Sequence, residues 1–184
     1  MAECGVWRGG SMMVIARTLL AHGDRSRNLY LYDTYEGMSA PTEHDRSFDG
    51  VAADVQLARD QDRQNGIWCE ASLEDVKANL AATGYPMERV FFIKGKVEDT
   101  IPASPDIPSR IAVLRLDTDW YESTKHELVH LYPRLSPKGV LLIDDYGHWQ
   151  GARKAVDEYF AATSPGVFLH RIDSTGRALV KGDQ

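Results

Sequence analysis

Four short runs, 29–32 (LYLY), 90–93 (VFFI), 111–116 (IAVLRL) and 140–143 (VLLI), are almost wholly apolar and do not alternate. That is the pattern of strands buried on both faces of a parallel sheet. The segments between them carry helical spacing. Residues 11–21 place Met12, Ile15, Ala16 and Leu19 close to a 3.6-residue period, and residues 73–80 follow Ser72, with Asp75 three positions on, a variant of the capping box. Thr124 and Glu127 stand at the head of a further helix whose buried stripe is Leu128, Leu131, Tyr132 and Leu135, with Pro137 and Gly139 stopping it. A last helix over 152–161 leads to two strand-like segments, 167–172 and 178–181, paired around Ser174-Thr175-Gly176. Alternating strand and helix predicts an α/β fold around a mostly parallel sheet, closed by an antiparallel terminal hairpin. Two regions fall outside the pattern. Residues 38–68 are too long for an ordinary connection and read as a mobile lid or insertion. Glu3 belongs to a first strand that is already running where the sequence starts, which reads as a shortened amino end.

Composition narrows the class. The 184 residues suit one domain spanning 1–184, and 43% hydrophobic with 26% charged residues is ordinary for a globular protein. A net charge of −6 disfavours a nucleic-acid partner, because neutralising phosphates needs a basic face. No run is long and apolar enough to span a membrane, and no signal peptide opens the chain, so the expected location is cytoplasmic. Cys4 and Cys69 have no metal-binding or disulfide spacing.

The chemistry gathers in three places. Glu3-Cys4-Gly5-Val6-Trp7-Arg8-Gly9-Gly10-Ser11 is a glycine-rich turn into a helix, suited to close approach of a ligand, although its spacing is not G-x-G-x-x-G. The strand over 29–32 ends in Asp33, placed to accept hydrogen bonds from ribose hydroxyls. The strand Ile111–Leu116 ends in Asp117-Thr118-Asp119, and the next one ends in Asp144-Asp145. Residues i and i+2 of a strand face one side, so Asp117 and Asp119 are expected in one cleft. Four carboxylates at one sheet edge repel one another unless a cation is shared, and an all-oxygen donor set favours magnesium or a similar hard cation over zinc.

Other residues are weighed against plainer roles. Tyr146, His148 and Trp149 follow the acids and are candidates for a substrate pocket, though a lone His or Trp more often packs. His126 and His130 lack a third ligand, Arg153 and Lys154 suit a solvated helix start, and Trp7 suits core. Tyr121 and Lys125 match the Tyr-x-x-x-Lys of short-chain NAD(P) oxidoreductases, with Ser109 earlier. Ser109 precedes its strand, however, and belongs at the opposite edge of the sheet from Tyr121. A noncatalytic binding or regulatory domain that keeps a sheet edge but no chemistry is the rival from another class.

The stretches ECGVWRGGS, LYDTYEG, KGKVEDTIP, LRLDTDWYESTKHEL and LLIDDYGHWQGARKAVDEY closely resemble the macrocin O-methyltransferase family, from Glu3 to about Lys181. The resemblance implies a Rossmann-like class I methyltransferase fold with a seven-stranded sheet. It implies S-adenosylmethionine as cofactor and a sugar hydroxyl of a glycosylated natural product as substrate. Asp117, Asp144 and Asp145 match magnesium ligands, and Asp119 matches the general base. His148 is the competing base, because an imidazole titrates near neutrality. Cofactor contacts are expected from Glu3, Gly5, Val6, Trp7, Arg8, Gly9, Asp33, Thr34, Tyr35, Gly37, Ser72, Gly95, Lys96 and Asp117. An amino-terminal region that helps close the site and joins subunits in the family lies outside this match, and a homodimer is the assembly it suggests.

Overall fold

The computed structural model describes residues 1–103, 107–164 and 166–183. Seven strands form one sheet in the order β3-β2-β1-β4-β5-β7-β6. They are β1 (Ala2–Cys4), β2 (Leu29–Asp33), β3 (Val90–Lys94), β4 (Ile111–Leu116), β5 (Leu135–Ile143), β6 (His170–Arg171) and β7 (Arg177–Val180). β1 to β5 are parallel, and β7 joins β5 and β6 antiparallel, so the seven-stranded sheet and terminal hairpin take the expected form. Among the described residues six α-helices intervene: α1 (Gly10–Ala21), α2 (Ala53–Arg59), α3 (Leu73–Ala81), α4 (Val97–Thr100), α5 (Tyr121–Leu131) and α6 (Gln150–Thr163). None is long and apolar enough to cross a membrane.

The core has two halves. Met12 and Ala16 of α1 and Val76 and Leu80 of α3 pack with Leu29 and Leu31 of β2. Leu128 and Leu131 of α5 and Val156 and Phe160 of α6 pack with Leu116, Leu141 and Ile143. Ser72 caps α3 as its spacing predicts, its Oγ accepting from the Asp75 N–H at 3.1 Å and donating to Asp75 Oδ2 at 2.8 Å.

Three boundaries differ from the sequence reading. First, α5 starts at Tyr121, ahead of Thr124, and Glu127 does not reach back to cap it. The Tyr121 N–H instead donates to Asp45 Oδ1 at 2.8 Å, so the cap arrives from a distant segment. Second, Leu135 is buried, but in β5, and Pro137 and Gly139 lie within that strand rather than stopping a helix. The ladder shifts there, from Ile111 opposite Leu135 to Val113 opposite Val140, an irregularity that accommodates the missing proline donor. Third, β6 is two residues long, where a strand over 167–172 was expected.

Residues 38–68 are folded onto the domain. They contain α2, whose Ala53 and Leu57 pack with Trp120, Trp149 and Ala152. Ser47 bridges Trp149, and the Gln150 N–H donates to the Arg46 carbonyl at 2.8 Å. Asp45, 1% exposed, anchors the segment to α5, and its Oδ2 also accepts from the Thr42 N–H and hydroxyl.

Candidate functional site

In a parallel sheet the carboxyl ends of the strands share an edge, and neighbouring crossovers diverge where the strand order reverses. Here that point lies between β1 and β4. A cavity of about 410 Å³ opens there, within the range of roughly 300–1,000 Å³ usual for small-molecule sites. It is lined from one side by Gly5, Val6, Trp7, Asp33, Thr34, Gly37, Gly95 and Lys96, and from the other by Asp117, Asp119, Asp144 and Asp145.

Asp33 organises the first side. Its Oδ2 accepts from the Val6 N–H at 2.6 Å and the Trp7 N–H at 3.3 Å, and its Oδ1 accepts from the Tyr35 N–H at 2.6 Å. One carboxylate therefore ties the turn after β1 to the turn after β2, and of its four lone pairs only one, on Oδ1, is left by these three bonds. Gly5 has φ 78°, and a Cβ there would stand 1.9 Å from the Asp117 carbonyl oxygen. The β1 turn is thus seated directly on the backbone that carries the acids. Trp7 Nε1 donates to the Gln64 carbonyl at 2.9 Å and Arg8 donates to Asn65 Oδ1 at 2.9 Å, so the far end of the 38–68 segment clasps the same turn.

Arg115 organises the second side. From within β4 its guanidinium donates to Glu3 Oε1 at 3.0 Å, Asp117 Oδ2 at 2.5 Å and Asp144 Oδ1 at 2.9 Å. Asp145 Oδ2 accepts from the Asp119 N–H at 3.1 Å, and Asp119 Oδ1 accepts from Trp149 Nε1 at 2.6 Å. The route by which Asp117 and Asp119 meet differs from strand alternation. β4 ends at Leu116, and Asp119 turns in through a left-handed φ of 69°. That loop rests on Glu127, a fully buried acid whose Oε1 accepts from Thr118 Oγ1 at 2.9 Å.

The acids are crowded. Burial, then the charge of Asp145, pushes Asp117 well above the usual carboxylate range. Burial, then the charge of Asp119, does the same to Asp145, and burial with the charge of Asp117 raises Asp119 to about 7. Glu3 rises to about 7, mainly by burial. The Arg115 guanidinium pairs with three carboxyl groups, Glu3, Asp117 and Asp144, while Asp119 and Asp145 add two more acids to the same cluster, so the site carries a deficit of positive charge. One oxygen from each of Asp117, Asp144 and Asp145 falls within 4.8 Å of the others. Three converging carboxylate oxygens and a charge deficit fit a hard divalent cation.

Other expected contacts stand elsewhere. Glu3 lies beneath the cavity, held by Arg115, and Tyr35 is buried, its hydroxyl donating to the Leu31 carbonyl. Arg8 is exposed, Gly9 caps α1 in a left-handed conformation, and Ser72 caps α3. His148 faces a separate groove with Phe48, Tyr146 and Arg153. Ser109 lines a pocket with Met1, Arg27 and Ala112 at the opposite edge, and the Tyr121 hydroxyl is engaged by Glu158 and Lys125, so the oxidoreductase triad does not assemble. Arg115 was not singled out from sequence, and Trp149 was weighed only as a candidate for a substrate pocket, not as a partner of Asp119. The signal for Arg115 was present, an arginine in a buried strand two residues before Asp117 and therefore on its face.

A family model described as Macrocin-O-methyltransferase (TylF) matches residues 1–181. The 8-demethyl-8-(2,3-dimethoxy-alpha-L-rhamnosyl)-tetracenomycin-C 4'-O-methyltransferase of Streptomyces olivaceus is 38% identical over 96% of this chain and 63% of its own length. Mycinamicin III 3''-O-methyltransferase of Micromonospora griseorubida is 36% identical over 85% of this chain and 58% of its own. The chain thus spans about three fifths of these relatives' length. Among solved structures, the O-methyltransferase NovP superposes with a TM-score of 0.82 at 34% identity, covering 99% of this chain and 71% of that one. CalS11, a calicheamicin methyltransferase, shares the fold with a TM-score of 0.71 at 20% identity, covering 100% of this chain and 72% of its own.

Proposed function

The chain belongs to the macrocin O-methyltransferase family, and on that premise we propose that it transfers a methyl group from S-adenosylmethionine to a hydroxyl of a sugar on a glycosylated natural product, with a divalent cation held by Asp117, Asp144 and Asp145. The observation that carries this reading is one cavity bounded by a nucleoside-suited wall at Asp33 and an acid cluster at Asp117 to Asp145. The sugars in the relatives' names support the substrate class.

Val6, Trp7, Asp33, Thr34, Gly37, Gly95 and Lys96 would hold the cofactor, with Asp33 accepting from its ribose. S-adenosylmethionine supplies a methyl carbon on a sulfonium, the carbon–sulfur bond breaking as the carbon–oxygen bond forms. A divalent cation supplies charge that makes a nearby hydroxyl easier to ionise. Asp119 takes the hydroxyl proton, and its position beside the three ligand acids brings it to the same hydroxyl. The acids orient the acceptor so that its oxygen lines up with the methyl carbon. His148 is the weaker candidate for the base because it faces another groove.

The test is a methyl-transfer screen against deoxysugar glycosides, vicinal diols and catechols with magnesium present. Transfer to glycosides is expected, while a preference for catechols would replace the substrate class. Binding of S-adenosylhomocysteine without turnover on any acceptor would favour a noncatalytic domain.

A further inference from the structure

The chain has four tryptophans, and every indole N–H donates a hydrogen bond, including that of the exposed Trp7. Three use a main-chain carbonyl: Trp7 that of Gln64, Trp68 that of Leu57 and Trp120 that of Ser39. Trp149 differs. Its Nε1 donates to a side-chain carboxylate, Asp119 Oδ1, at 2.6 Å, a charge-assisted bond inside the cleft. If satisfying a buried N–H were the whole need, a carbonyl would serve, as it does three times elsewhere in this chain.

The surroundings make Trp149 a rigid mount. It is 3% exposed, meets Trp120 edge-on at 4.9 Å and His148 at 4.7 Å, and packs with Ala53 and Leu57 from the 38–68 segment. Its main chain bridges Ser47, and its N–H donates to the Asp145 carbonyl at 2.9 Å. Asp119 needs such a mount, because it sits in a left-handed backbone conformation that costs a non-glycine residue energy. Its own N–H is taken by Asp145 Oδ2.

Resting on the reading of Asp119 as the base, we infer that Trp149 is a positioning residue for it: the indole N–H holds Oδ1 and fixes the carboxylate where it lines the cleft. Because α2 and Ser47 pack on the same tryptophan, the 38–68 segment supports the base through it.

The experiment compares wild type, Trp149→Phe, Asp119→Asn and the double variant, with methyl α-L-rhamnopyranoside as acceptor and magnesium saturating. Phenylalanine keeps an aromatic ring in the packing and removes the N–H. The expected result for Trp149→Phe is a kcat reduced about tenfold to a hundredfold, the scale of a misplaced catalytic group, with the acceptor KM and the affinity for S-adenosylhomocysteine within about twofold of wild type. In the Asp119→Asn background the second change should cost no more than about twofold, since both act through one group. As an acceptor-free readout, the Trp149 indole N–H resonance should move more in Asp119→Asn than the other three indole signals. Unchanged kcat in Trp149→Phe, losses that multiply in the double variant, or an unmoved Trp149 resonance would overturn the inference. Near-normal turnover in Asp119→Asn, or none by wild type, would overturn the reading beneath it instead.

Discussion

The seat of the β1 turn on the acid-bearing loop makes Gly5→Ala the sharpest probe of how the site is built. Two costs add. At φ 78° a side chain incurs the left-handed penalty, about 1–2 kcal/mol. The new Cβ would also stand 1.9 Å from the Asp117 carbonyl oxygen and 2.5 Å from its carbon. Main chain cannot swing aside like a side-chain tip, so β1 and β4 must separate, an overpacking cost of roughly 1–3 kcal/mol or more. The sum is about 2–5 kcal/mol, which lowers Tm on the order of 10 °C for a chain of this size. Two controls separate the contributions. Gly50→Ala carries a φ of 87° with no atom within 4 Å, so it should lose only about 1–2 kcal/mol. Gly10→Ala, at the start of α1 with open space around it, should be neutral or stabilise by up to about 1 kcal/mol. Urea unfolding of the three variants decides. A Gly5→Ala protein no less stable than Gly50→Ala would refute the claim that the turn rests on the Asp117 backbone.

Two further outcomes follow from buried acids. Glu3 has its pKa raised from 4.5 to about 7 in the folded state, so the folded protein holds a proton that the unfolded chain releases. Stability from this group is highest below about pH 4.5 and falls by about 3 kcal/mol as pH rises to about 7 and beyond; Glu3→Gln should flatten that slope in denaturant melts at several pH values, and an unchanged slope would reject Glu3 as its source. Asp45→Ala removes the acceptor for the Tyr121 N–H, so it should cost about 1–3 kcal/mol and speed proteolysis within residues 38–68. Unchanged cleavage there would mean that Asp45 does not hold the segment down.

Much of this was legible in the sequence, for physical reasons. Buried parallel strands have no polar face, so 29–32, 90–93 and 111–116 stand out against amphipathic helices and fall within or over β2, β3 and β4. The acids were visible because they end such strands, and a parallel sheet collects strand ends at one edge. Long-range contacts were less visible. Helix α5 begins three residues before its apparent cap because the cap, Asp45, comes from far along the chain. Length set 38–68 apart as a lid or insertion, and it could not show that Ala53 and Leu57 pack against Trp120 and Trp149. Asp117 and Asp119 share a cleft, but through a left-handed turn that spacing along a strand does not encode. Nothing local to Trp149 distinguishes it from a core tryptophan; only the position of Asp119 does.

The central claim is that the acids at the ends of β4 and β5 form a cation site beside a separate cofactor wall. It is tested most directly by titrating manganese, followed by electron paramagnetic resonance, into wild type and Asp144→Ala with S-adenosylhomocysteine present. The account predicts one tightly held ion in wild type, an affinity lower by about tenfold or more in the variant, and near-equal S-adenosylhomocysteine binding in both, because Asp33 and the β1 turn are untouched. Equal manganese binding by the two proteins, together with full methyl transfer in excess chelator, would contradict it.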